Sequence, residues 1–173
     1  MNNLDGKLTG ACVYLSGPIQ FAADHGVGWR DEFVAQVKNV GMQLQIINPC
    51  DKRDKYFSEI GEWRRHITKL KASGQYWEVS RLMKKVRRYD LRACDLADVL
   101  VAGINADIPT WGTVDEMVTV ERQQKPVLAV VDGGPGKSPD WLFTMVKSQE
   151  MFSSVGECVA YLLALHLGDI ELD

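Results

Sequence analysis

Short apolar runs alternate along the chain with longer stretches in which apolar residues recur every three or four positions. Residues 11–16 form the first run, a buried strand by pattern, stopped by Gly17-Pro18. The spacing predicts a helix over 27–40, where Trp29, Phe33 and Val37 share a face and Gly41 supplies the end. Residues 42–47 predict a second strand, closed by Asn48-Pro49, and 99–104 a third. A helix over 112–124 and a strand over 126–131 follow. A short helix (140–147), a brief strand (150–152) and a final helix (154–167) complete the pattern. Ser154 and Glu157 have capping-box spacing at the start of that last helix.

Strands alternating with helices imply an α/β fold with a parallel sheet covered on both faces. The order is that of a small Rossmann- or flavodoxin-like sheet flanked by helices. Sites in such sheets lie beyond the carboxyl ends of the strands, which here are 16–21, 48–51, 105–116 and 132–138. Residues 52–88 break the alternation. They read as a helical insertion within a single domain spanning 1–173, with helices over 58–71 and 76–94 joined at Ser73-Gly74.

The composition adds limits. The 173 residues are 46% hydrophobic and 25% charged, which excludes a disordered or fibrous chain. Cys12, Cys50, Cys94 and Cys158 lie far apart, as do His25, His66 and His166, so neither a disulfide framework nor a zinc site is expected. No metal or organic cofactor is implied. Apolar runs stay far below the ~18 residues of a membrane span, and residues 1–10 lack a signal-peptide core. A cytoplasmic protein without membrane contact is therefore expected. Lys and Arg number 20 against 23 Asp and Glu, but residues 51–90 carry 12 against 6. A basic segment thus sits in an acidic body. Nucleic acid is not an expected partner, whereas a phosphate could meet the local basic patch.

Gly133 to Ser138 looks at first like a phosphate loop, but Val131 stands where the Walker pattern needs its first glycine. An ordinary surface loop is the expectation. The carboxylates say more. Asp90, Asp95 and Asp98 precede the third strand, and Gly112-Thr-Val-Asp-Glu116 follows it at a helix start. Asp98 has the position of a residue that ends or caps an element. Thr113 and Glu116 fit a capping box, and the same carboxylate faces the crevice where a ligand would bind. Both roles stay open on pattern alone.

Three motifs in this order, Val13-Tyr-Leu-Ser-Gly-Pro18, Asp90 eight residues before Asp98-Val-Leu-Val101, and Gly112-Thr-x-x-Glu116, resemble the nucleoside 2-deoxyribosyltransferase family, which includes related nucleoside 5′-monophosphate N-glycosidases. The agreement covers residues 13–131. The resemblance implies an enzyme that cleaves or transfers at the N-glycosidic bond of a nucleoside or nucleotide. Glu116 would be the nucleophile at the sugar C1′, and Asp90 the proton donor near the base. Tyr14 would hydrogen-bond the nucleophile, or else be plain core. Gly17 and Pro18 would shape the loop under the substrate, with Ser16, Gln20, Asn48, Gly112 and Thr113 as further contacts; for Asn48 a turn role is the alternative. Members are usually homo-oligomers, and the apolar final helix and the aromatics of the insertion fit that expectation.

The sequence departs from the family where an acidic residue usually stands six positions before the nucleophile: Thr110 is there. Arg87 and Arg88, with Arg64, Arg65, Lys84 and Lys85, are either a solvated surface or a rim for a 5′-phosphate. Trp63, Tyr76 and Trp77 either stack on a base or anchor the insertion. Transferase, hydrolase and a non-catalytic nucleotide-binding module on the same fold remain distinct readings.

Overall fold

Apolar runs in the sequence become strands, and the three central ones are buried on both faces. In a computed structural model describing residues 6–52 and 59–171, β1 (Cys12–Ser16), β2 (Gln45–Ile47), β3 (Val99–Ile104), β4 (Val127–Val131) and β5 (Met151–Phe152) form one sheet. Its order is β2-β1-β3-β4-β5 and every pairing is parallel. This is the flavodoxin-like order, with its switch point between β1 and β3.

Side chains of a strand alternate between faces. Val13 and Leu15 join Phe33, Val37, Val159 and Leu162 on the face covered by α1 (Val27–Asn39) and α5 (Val155–Leu167). Tyr14 joins Cys94, Leu100, Met117 and Val120 on the other face, covered by α3 (Tyr76–Leu96) and α4 (Trp111–Arg122). The apolar character of α5 is used in this core: Val155, Cys158, Val159, Leu162 and Leu165 are all buried within the chain. It therefore lends no support to the expected oligomer.

The insertion builds a small core of its own. Trp63, Ile67 and Leu70 of α2 (Gly61–Ala72) pack with Val86 of α3. The turn between them closes at Gly74, whose φ of 73° suits glycine. Residues 53–58, part of the expected insertion, lie outside the described residues. Trp63 is an anchor of this core, while Tyr76 and Trp77 are exposed and away from the cavity described below.

Several boundaries differ from expectation. The second strand shrinks to three residues: after the turn at Gly41 (φ 79°) Met42 makes an isolated bridge, and the ladder with β1 starts at Gln45. The segment expected as a helix over 140–147 winds as a 3-10 turn, Asp140–Thr144. The Gly133 loop folds into another short 3-10 turn, Pro135–Lys137, and is absent from the cavity wall. Ser154 caps α5 by accepting from the Glu157 N–H, as its spacing predicts. Asp98 accepts from the Cys12 N–H at 2.8 Å and so ties the start of β1 to the lead-in of β3.

Candidate active site

Two helices place a carboxylate in the stripe they bury. On α4 the buried positions are Thr113, Glu116, Met117 and Val120; on α3 they are Val86, Asp90, Ala93 and Cys94. Both sets follow helical spacing, so each acid occupies a place that packing alone would give to an apolar residue. An unpaired buried charge is costly, and each acid here has partners.

Glu116 is met from β1. Tyr14 donates its hydroxyl to Oε1 at 3.1 Å, and Ser16 donates to Oε2. Tyr14 and Ser16 are two apart, hence on one face of the strand. The capping-box reading of Glu116 is overturned: α4 begins at Trp111, so Thr113 lies inside the helix and Thr110 precedes it. Asp90 is met by Lys52, whose Nζ is 2.7 Å from Oδ1. The same ammonium is 3.5 Å from Glu59 and is almost wholly buried, with 2% of its side chain exposed.

Burial raises both acids. Glu116 is pushed up to about 8, chiefly by desolvation and further by the charge of Asp90, against the hydrogen bonds from Ser16 and Tyr14. Asp90 is pushed up to about 6, again by desolvation, with Lys52 pulling it down and Glu59 pushing it up. Tyr14 is held well above the usual phenol value by burial and by Glu116, so it stays a donor. Two carboxyl groups with separated proton affinities are a pattern of acid–base sites.

Glu116, Asp90 and Tyr14 line one cavity of about 560 Å³ at the carboxyl ends of β1 and β3. Gly17, Pro18, Gln20, Gly112, Thr113 and Arg87 are also in its wall, and Ser16 lies beneath, fully buried. Two expected contacts are elsewhere. Asn48 accepts from the Cys50 N–H and donates to Asp51, so its polar atoms serve the turn after β2. Arg88 is exposed on the side of α3 that turns away from the cavity, since the wall takes Ser80, Met83, Lys84, Val86, Arg87, Asp90 and Leu91 from that helix. Arg87 is already engaged, forming two bonds of 2.7 and 2.9 Å to Asp115 at the rim.

Pattern reading missed some residues in the cavity wall or beside it. Lys52 stands against Asp90, one residue past the 3-10 turn Pro49–Asp51 that follows β2, and so falls just beyond the 48–51 segment expected to bear site residues. Phe21 and Trp111 fall inside the strand-end segments 16–21 and 105–116, which was the available signal, whereas Glu59 lies in the insertion and had none. Phe21 and Trp111 line the cavity while largely exposed, so they form part of its mouth. Among the described residues no group of three or more His, Cys, Asp or Glu is arranged to hold a metal ion.

The loop under the cavity is fixed from behind. Arg30, fully buried, donates to the carbonyls of Leu15, Gly17 and Gly26. A Cβ on Gly103 would lie 2.8 Å from the Trp29 ring, so only glycine lets that indole lie against β3.

The fold resembles that of a 2-deoxyribosyltransferase. The match is to the enzyme from the psychrotolerant Bacillus psychrosaccharolyticus, with a TM-score of 0.56 and 16% identity over 91% of this chain and 97% of that one. At that identity the likeness establishes the α/β fold. A Clostridium botulinum CMP N-glycosidase is also similar (TM-score 0.46, 11% identity, 87% and 97% covered). So is a conserved Enterococcus faecalis V583 protein (0.49, 16%, 92% and 89%). Both are too distant to carry argument. No protein-family model and no curated protein sequence matches the chain.

Proposed function

We propose that the protein is an enzyme acting at the N-glycosidic bond of a nucleoside or nucleotide, with Glu116 as nucleophile and Asp90 as proton donor. The observation that carries this reading is the meeting of a buried Glu116, its donors Tyr14 and Ser16, and a buried Asp90 in one cavity. The chemistry parallels that of retaining glycosidases, which use two carboxyl groups at one anomeric carbon.

The Glu116 carboxylate attacks C1′ as the bond to the base breaks. The electron pair of that bond goes to the base nitrogen, and Asp90 delivers a proton to the base. Tyr14 and Ser16 orient the attacking carboxylate. In the second half, water or another base attacks C1′ and frees Glu116, while the Asp90 carboxylate accepts a proton. Transferase and hydrolase share every residue named and differ in the group that captures the sugar.

A phosphate-bearing substrate is the variant favoured by one further observation: Ser80 and Lys84 of α3 stand in the cavity wall, beside an Arg87 that Asp115 already holds. Asp115, bonded to Arg87, also puts an acid in the cavity wall, whereas Thr110 stands at the family's acidic position.

The test is incubation with a panel of nucleosides and 5′-monophosphates, with and without a free acceptor base. Base released without acceptor, mainly from monophosphates, supports the hydrolase. Exchange only with acceptor supports the transferase. Silence across the panel, with binding retained, replaces this reading by a nucleotide-binding module.

A further inference from the structure

Lys52 stands beside the cavity wall, and its charge is spent inside the protein. It touches two acids at once, Asp90 at 2.7 Å and Glu59 at 3.5 Å, and the Tyr89 ring lies 5.3 Å from its Nζ. An ammonium so buried is strongly desolvated, and it persists where carboxylates repay that cost. Asp90 Oδ1, the atom it meets, is sealed from solvent, although Asp90 lines the cavity. A ligand in the cavity therefore meets Asp90 through Oδ2. Glu59 lines the same cavity.

We propose that Lys52 is a positioning residue: shared between Asp90 and Glu59, it aims the Asp90 carboxyl at the substrate and, against Glu59, governs when that carboxyl carries a proton. The inference rests on the glycosidic reading for its reaction, but the three-residue contact stands apart from it. The charged and titratable groups around Asp90 come from every neighbouring element: Lys52 and Glu59 from the segment after β2, Glu116 from α4, Tyr14 from β1, and Cys94 and Tyr89 from α3 itself. Among them Lys52 is the cation that favours the ionised form of Asp90 against its burial, and Glu59 opposes it. Removing either one moves Asp90 in opposite directions, which a merely structural role does not produce.

The experiment titrates the Asp90 side-chain carboxyl by NMR in aspartate-labelled full-length protein, assigned by its loss in Asp90→Asn. It also follows the acidic limb of kcat/KM for whichever nucleoside or nucleotide the wild type cleaves. Lys52→Met should raise the Asp90 midpoint by about one pH unit or more, and the acidic limb with it. Glu59→Gln should lower both, and Lys52→Arg should restore both towards wild type. If Lys52→Met fails to fold, Glu59→Gln and Lys52→Arg carry the test. A midpoint unmoved in a folded Lys52→Met protein, or unmoved in Glu59→Gln, overturns the inference. Opposite midpoint shifts in a protein that cleaves no nucleoside refute the glycosidic reading and the role in its reaction, yet keep the Lys52 control of Asp90. Turnover with static midpoints refutes Lys52 control alone.

Discussion

The Tyr14 hydroxyl donates to Glu116 Oε1 across 3.1 Å, linking the middle of β1 to the buried face of α4. Residues 102 positions apart thus meet because β1 and α4 pack on one side of the sheet. The bond stabilises the ionised carboxylate. Tyr14→Phe should therefore lower kcat/KM by roughly 10–100-fold, the worth of one hydrogen bond to a charged group. It should also move the ionisation of Glu116 upward. Steady-state kinetics against pH read both effects.

The two acids set a pH window. Glu116 must be ionised to attack and Asp90 protonated to donate, so the reactive pair holds one proton in total. With the groups pushed to about 8 and about 6, the pair holds one proton between those values, mostly on Glu116. The competent arrangement, with the proton on Asp90, is a minor form of the same one-proton pair and is lost below about 6 and above about 8. A plot of kcat/KM should be bell-shaped with limbs near those values. A flat profile from pH 5 to 9 would separate these carboxyls from the rate-determining chemistry.

Burial of Glu116 also has a cost in stability. Its folded value, about 8, lies above the unfolded 4.5, so the folded state binds the extra proton between those limits. Stability contributed by that protonation is present at low pH and lost as pH rises towards 8. Glu116→Gln should therefore stabilise the protein relative to wild type by an amount that grows from pH 5 to pH 8, on the order of 3–5 kcal/mol at the top. Thermal melts at the two pH values measure it. Equal melting shifts at both would show that Glu116 is not held protonated by its surroundings.

Arg30 should matter without touching substrate. Its guanidinium satisfies three carbonyls at the end of β1 and in the loop that follows. Arg30→Met leaves them unpaired and should cost about 3 kcal/mol, a fall in Tm of roughly 6–12 °C for a chain of this size. Differential scanning calorimetry checks this. An unchanged Tm would mean that the loop holds its shape without the guanidinium.

The strands were legible because each is a short apolar run bounded by glycine, proline or asparagine, as Gly17-Pro18 and Asn48-Pro49 bound β1 and β2. The acids on α3 and α4 were legible as motifs, and helical spacing explains their burial: Asp90 and Glu116 fall within stripes of apolar residues. The capping box was a false signal, because its spacing recurs inside a helix that had already begun one turn earlier. Arg88 was misplaced because consecutive helical residues point about 100° apart, so its neighbour Arg87 alone reaches the wall. Lys52 and Glu59 were not legible as partners. Their meeting with Asp90 depends on how the insertion folds back over the strand ends, a tertiary contact with no local pattern.

The most direct test of the central claim is intact-mass spectrometry of the protein quenched during turnover of a cleaved nucleoside or nucleotide, paired with base-release rates for wild type and Glu116→Gln. The account predicts a mass gain equal to the sugar residue transferred, mapped to the peptide containing Glu116. It also predicts at least about a thousandfold loss of base release in a folded Glu116→Gln protein. A Glu116→Gln protein that releases base at the wild-type rate would contradict it.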